Sequence, residues 1–181
     1  RSVAELAGVS AASSIVTAVT VSLDAPVRMA QAAAVLAHVP LLKVKVDAID
    51  PIAQLEAVRA SAPAPQLIVD PNESWTPALL EKLLPKLQAL RADLIEQPLP
   101  AAEDAALAHI ASPVPICADE SAHTSADLER VAGLYKAVNI KLDKAGGLTE
   151  ALAMRRRAEA LGLTLMIGCM VCTSLSIAPA L

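Results

Sequence analysis

Seven short runs rich in Val, Ile and Leu recur along the 181-residue chain, each parted from the next by a longer Ala/Leu-rich stretch of helical period. Parallel strands buried on both faces read as such continuous apolar runs, and crossover helices are what bury them. Strands are expected at 16–23, 41–46, 66–70, 94–96, 116–119, 137–141 and 164–169, and helices over 27–37, 52–60, 77–90, 102–110, 125–132 and 148–161. Asp24 to Pro26, Asp50-Pro51, Thr76-Pro77 and Thr124 to Asp127 offer side-chain caps or a first-turn proline at helix entry. A strand every 20 to 30 residues or so suits a doubly wound sheet or a closed barrel, and periodicity alone does not choose. A dinucleotide fold would carry a Gly-rich turn after an early strand. None occurs, and Gly146-Gly147 fits neither that spacing nor the P-loop.

The barrel reading makes residues 1–181 one partial domain of class α/β: a (β/α)8 TIM-type barrel with about seven β/α units present and the eighth strand missing. Such a sheet either leaves its first and seventh strands with unpaired edges or borrows a strand from a second copy, so a homo-oligomer is among the expected partners. The 55% hydrophobic content and mean hydropathy of +0.50 are high, but no apolar run reaches the roughly 18 residues a membrane span requires. A net charge of -4, with no Phe, one Trp and one Tyr, gives neither a phosphate-neutralising surface nor stacking platforms, so no nucleic-acid partner is expected. Three cysteines are too few for a disulfide framework and point to a reducing, cytoplasmic setting. The opening Arg1-Ser2-Val3 has no initiator Met and no signal-peptide pattern, as expected of a piece of a longer protein.

Ionisable residues fall at five strand ends: Lys45, Asp70, Glu96, Asp119 and Lys141. The C-terminal strand ends of a parallel barrel converge on one face, so these five would meet around one site. Three carboxylates aimed at one point repel one another and are costly to desolvate unless a cation sits between them. Oxygen-only ligation favours Mg2+, with Mn2+ the alternative, over zinc or copper. The competing explanation is that each acid caps the helix that follows it. That account says nothing about why lysines stand in register with the acids. Lys43 and Lys45 are two apart, so strand alternation sends both to one side, the barrel interior. Crowding of two ammonium groups beside a metal is expected to lower a lysine pKa toward that of a usable base. In an eight-stranded barrel the second and sixth strands lie opposite each other, so Lys45 and Lys141 would flank a substrate carbon.

Five segments in order, Lys43-Val44-Lys45, Asp70-Pro71-Asn72, Ile95-Glu96-Gln97-Pro98, Ala118-Asp119-Glu120-Ser121 and Asn139 to Gly147, resemble the enolase superfamily in its muconate-lactonizing-enzyme subgroup over nearly the whole chain. The resemblance implies a barrel that normally carries an N-terminal capping domain, absent here. It implies Mg2+ held by Asp70, Glu96 and Asp119, with Lys45 and Lys141 as acid/base catalysts. Lys bases and Mg2+ in such sites are general precedent. Lys43, Asn72, Glu120, Cys169 and Met170 would support the site or contact substrate. Met166-Ile167-Gly168-Cys169-Met170 with Cys172-Thr173-Ser174 is similar to dipeptide epimerases, particularly those acting on L-Ala-D/L-Glu. The implied reaction is 1,1-proton transfer at a carbon next to the carboxylate of a small substrate. The alternatives are a cycloisomerase or dehydratase of the same superfamily, or a non-catalytic barrel fragment.

Cys169-Met170-Val171-Cys172 has no second Cys pair and no nearby His, so buried structural cysteines are expected rather than a zinc or redox motif. His38, His109 and His123 fall in helices or loops and are expected at the surface. Arg155-Arg156-Arg157 reads as a solvated helix face.

Overall fold

The computed structural model describes residues 3–8 and 14–180; the Arg1-Ser2 opening and Leu181 lie outside the described residues. Seven parallel strands hydrogen-bond in sequence order, β1 (Val19–Val21), β2 (Leu41–Lys45), β3 (Gln66–Asp70), β4 (Leu94–Glu96), β5 (Ile116–Ala118), β6 (Ala137–Lys141) and β7 (Thr164–Gly168). A doubly wound sheet reverses its order partway across; uninterrupted sequential order is that of a barrel. This sheet is a curled, incomplete barrel in which β1 pairs with β2 and β7 with β6, leaving the far edge of each terminal strand open.

The α-helices are α1 (Val3–Ala7), α2 (Pro26–Val35), α3 (Pro51–Ser61), α4 (Pro77–Ala89), α5 (Leu128–Ala132), α6 (Leu142–Ala145), α7 (Leu148–Ala160) and α8 (Ser174–Ile177). No helix among the described residues is long and apolar enough to cross a membrane. Alternation divides β2 cleanly. Leu42 and Val44 are fully buried in the same core as Met29 and Ala33 of α2 and Leu55 and Val58 of α3, while Lys43 and Lys45 face the barrel interior. Trp75 fills the loop between β3 and α4, its indole N–H donating to the Asp47 carbonyl at 2.9 Å.

Most helix starts follow the expected chemistry. Asp50 accepts from the Ala53 N–H, Thr76 from Leu79, and Thr124 with Asp127 forms a reciprocal capping box. Asp24 does not cap α2: its carboxylate takes the Ala25 N–H and the Arg28 guanidinium, leaving Pro26 as the start signal. The first strand is only three residues long because pairing with β2 ends there, and Ile15 and Val16 on the apolar approach are exposed. Strand propensity without a partner strand does not make a strand. The helix expected at 102–110 is a 3-10 segment, Asp104–His109, whose Asp104 is drawn aside by Arg130 and Tyr135.

Arg59, near the end of α3, ties two β/α units together. Its guanidinium donates to the carbonyls of Pro65 at 2.7 Å, Leu90 at 2.9 Å and Arg91 at 3.0 Å, closing the turns that feed β3 and β4. Because these acceptors need a planar fork, Arg59→Ala should lower stability by about 1.5–3 kcal/mol, with Arg59→Lys recovering less than half of it. Urea denaturation measures both, and full recovery by lysine would contradict the fork argument.

Candidate active site

Each functional side chain reaches the barrel interior from its own strand end. Asp70 closes β3, Glu96 closes β4 and Asp119 follows β5, with relative exposures of 1%, 0% and 1%. Lys43 Nζ lies 2.8 Å from Asp70 Oδ2 and 2.7 Å from Glu96 Oε2. Lys45 Nζ donates to Asp70 Oδ2 at 3.0 Å and also to Asn72 Oδ1. Across the sheet, Lys141 Nζ donates to Asp119 Oδ2 at 2.6 Å and lies 3.9 Å from the Met170 sulfur. The expected lysines and acids are therefore brought together.

The strand-end acids carry partners within the chain, and one expectation about charge is corrected. The carboxylates do not lack cationic partners of their own, because every one of them is ion-paired with a lysine. The Lys43 pKa is raised rather than lowered: burial pulls it down, but the charges of Glu96 and Asp70 outweigh burial. Glu96 is pushed up from the usual carboxylate range, first by burial, with Lys43 opposing and the charges of Asp70 and Asp119 adding. Asp119 goes the other way, because Lys141 and Lys144 together overcome its burial. Glu120 is raised by burial and by the neighbouring Asp119 charge, and its Oε1 sits 3.4 Å from Asn72 Nδ2. The Cys117 thiol, beside Glu96 in the β4–β5 register, is pushed well up by burial and by the charges of Glu96 and Asp119.

The loop after β7 departs from expectation. Cys169 is exposed and Cys172 half-buried, on the loop that follows the edge strand β7, where buried cysteines were expected. Met170 is nonetheless placed, its backbone N–H donating to Asp143 Oδ2 at 2.9 Å. His38, His109 and His123 are exposed, as are Arg155, Arg156 and Arg157.

Sequence reasoning passed over Lys144 and Asn139. Lys144 Nζ donates to Asp119 Oδ1 at 2.5 Å and to the Asp119 carbonyl. Its signal is spacing: three residues after Lys141 and on the short α6, it returns to the same side. Gly146, at φ 82°, supplies the left-handed turn that ends α6. Asn139 Nδ2 donates to Glu96 Oε1 at 2.9 Å inside the sheet, while its Oδ1 is buried without a partner. A polar residue in the middle of an apolar strand was the available sign.

As a cation site the donor set fits a hard divalent ion, being three buried carboxylates with no His or Cys among them. Among the described residues no three such groups are already drawn together into a cage; Lys43 stands between Asp70 and Glu96, and Lys141 and Lys144 hold Asp119. Magnesium would have to displace lysine contacts to enter.

The chain is thus of the parallel β/α barrel class, with acids on three neighbouring strand ends and lysines on the strands to either side. Residues 6–181 match the family model described as enolase C-terminal domain-like, and the chain belongs to that family. It is similar to the L-Ala-D/L-Glu epimerase of Escherichia coli, 47% identical over all of this chain and 57% of that protein. It is 48% identical to the N-acetyl-D-glutamate racemase of a Pseudoalteromonas species over 99% of this chain and 57% of that one. A crystal structure of a dipeptide epimerase from Enterococcus faecalis, complexed with Mg and the dipeptide L-Leu-L-Tyr, superposes with a TM-score of 0.87 at 33% identity, covering 92% of this chain and 50% of that one. The chain thus spans little more than half the length of these relatives.

Gly168 completes the support of Glu96. It pairs in register with Lys141, and a Cβ there would fall 2.6 Å from Asn139 Oδ1. Gly168→Ala should therefore push Asn139 off Glu96 and lower stability by roughly 1–3 kcal/mol. In a double-mutant cycle with Asn139→Ala the two losses should be less than additive. Additive losses would mean that Gly168 and Asn139 do not act on each other.

Proposed function

We propose that the protein carrying this chain is a Mg2+-dependent epimerase that moves a proton at the carbon next to a carboxylate, acting on a dipeptide of the L-Ala-D/L-Glu type. The observation that carries this is the pairing of Lys45 on β2 and Lys141 on β6 with the outer acids of one carboxylate row, Asp70 and Asp119. The relatives' activities, on L-Ala-D/L-Glu and on N-acetyl-D-glutamate, support the reaction type and the substrate class.

Asp70, Glu96 and Asp119 would hold the cation, and Mn2+ suits the same oxygen donors. Bound there, the metal supplies Lewis acidity toward the substrate carboxylate and offsets negative charge that develops on it. Lys45 and Lys141 do the proton work. Each acid/base step needs an amine within hydrogen-bond reach of the α-carbon, and two amines on opposite strands let one remove the proton while the other delivers one to the opposite face. Lys43, between Asp70 and Glu96, adds a fixed positive charge beneath the site. Asn72 and Glu120 line its edge, and Met170 and Cys169 border Lys141 from the β7 loop.

Two measurements on the whole natural protein test this. By calorimetry Asp70→Asn should weaken Mn2+ binding roughly tenfold or more, since even outer-shell losses cost that much. Unchanged affinity removes the metal assignment. In deuterated water, wild type should carry deuterium into the α-position of the epimerised product. Lys45→Ala and Lys141→Ala should each lower epimerisation by about 10^2–10^4-fold while retaining α-proton exchange with only one epimer, a different one for each variant. Exchange of the same epimer by both variants would defeat the two-base assignment in favour of a one-base cycloisomerase or dehydratase.

A further inference from the structure

Gln97 follows Glu96 at the end of β4, yet its side chain turns away from the charged interior and is completely buried. Its backbone lies in the left-handed region at φ 35°, a conformation that a residue with a side chain keeps only where its surroundings impose it. Those surroundings are specific. Gln97 Oε1 accepts from the backbone N–H groups of Asp119 at 2.8 Å and Ser121 at 3.1 Å. Both partners are obligate donors, so the orientation of the amide is fixed. On the other side, Nε2 lies within hydrogen-bond distance of the Leu99 carbonyl (2.9 Å), Ser121 Oγ (2.8 Å) and the Tyr135 hydroxyl (3.0 Å). The Gln97 main chain adds an N–H donated to the Cys117 carbonyl at 2.9 Å and a carbonyl that accepts from Glu73 at 2.9 Å.

One residue therefore joins the end of β4 to the end of β5 through both its backbone and its side chain. The two residues it fixes most directly are the acids: Glu96 precedes it in the chain, and Asp119 is held by its amide. The clamp is anchored outward. The Tyr135 hydroxyl donates to Asp104 at 3.2 Å, and Arg130 donates to both Asp104 oxygens at 2.8 and 2.7 Å and to the Ser121 carbonyl at 2.9 Å. The role suits a neutral amide, because the position requires acceptance from two N–H groups and donation to a carbonyl at once, which an ammonium or an ionised carboxylate does not provide and a protonated carboxyl does.

We infer that Gln97 is the positioning residue that sets the separation of Glu96 and Asp119 for a divalent cation. This rests on the metal assignment made for those acids. Partners one shell out from a metal fix the orientation of its ligands, and their loss is felt in affinity even when the ligands themselves are intact.

The test uses the whole natural protein with Mn2+ as the probe, read by calorimetry, and amide hydrogen exchange at Asp119 and Ser121 read by NMR. Gln97→Met keeps the volume and removes every side-chain hydrogen bond. Gln97→Glu keeps acceptors toward the two N–H groups. Tyr135→Phe breaks the same network away from Asp119 and reports what a purely structural loss does. Gln97→Met should weaken Mn2+ binding about 10–100-fold, Gln97→Glu should restore most of that, and Tyr135→Phe should lower Tm while leaving affinity within about threefold of wild type. Exchange at Asp119 and Ser121 should quicken in Gln97→Met and stay near wild type in Gln97→Glu. Should Gln97→Met fail to fold, Gln97→Asn, shorter by one methylene and so withdrawn from the Asp119 N–H, takes its place with the same expectation. Wild-type affinity in the Met or Asn variant overturns the inference, as does an equal loss in Tyr135→Phe. If wild type itself binds no Mn2+, the metal assignment falls and the cation role of Gln97 with it, whereas tight wild-type binding that Gln97→Met leaves unchanged overturns the inference alone.

Discussion

Carboxylates buried side by side must be given positive charge or give up their own, and the interior of this barrel is organised around that requirement. Asp70 and Asp119, at the two ends of the row, each contact two ammonium groups, Lys43 with Lys45 and Lys141 with Lys144. Glu96 in the middle shares Lys43 with Asp70 and, among the described residues, is otherwise held by the Asn139 amide. The compensation is therefore uneven. Asp119 is held below the usual carboxylate range while Glu96 is held above it, although both are buried. The central acid is the one whose charge the protein alone supports least, and hence the one that gains most from any further cation.

The architecture and the site were legible in the chain to different depths. Alternating apolar runs and helical stretches give seven strands because a strand covered on both faces has no reason to be polar except at its end, where the site begins. That exception placed Lys45, Asp70, Glu96, Asp119 and Lys141 at the site. Spacing alone left closure open, since it serves an open sheet as well, and the barrel reading came from the charged strand ends and the resemblance. The structure supplies the strand order through consecutive pairing from β1 to β7.

What sequence reasoning missed depends on partners far away in the chain. Gln97 looks like any residue after a strand, and its importance lies in bonds to residues 22 to 38 positions away. Crowding on β2 was expected to lower a lysine's basicity, but for Lys43 the carboxylates on the next two strands raise it instead. Cys169 and Cys172 were expected to be buried because cysteines usually are, but they follow an edge strand that no other strand covers. Gly168 is unremarkable in sequence and becomes consequential only when Asn139 stands beside it.

Sequential strand order also decides how the chemistry is distributed along the gene. Lys45, Asp70, Glu96, Asp119 and Lys141 each arrive on a separate β/α unit, and the units are joined by strand pairing and by the ion pairs of the interior. Replacing the side chain at one strand tip changes one group of the candidate site and leaves the strand order as it is, although the charge it faced on a neighbouring unit must then be met in another way. A scaffold of this kind separates the inheritance of its shape from the inheritance of its reaction. A lineage of such barrels is then free to diverge one strand tip at a time, with the facing charge adjusted in step, without first solving the folding problem again.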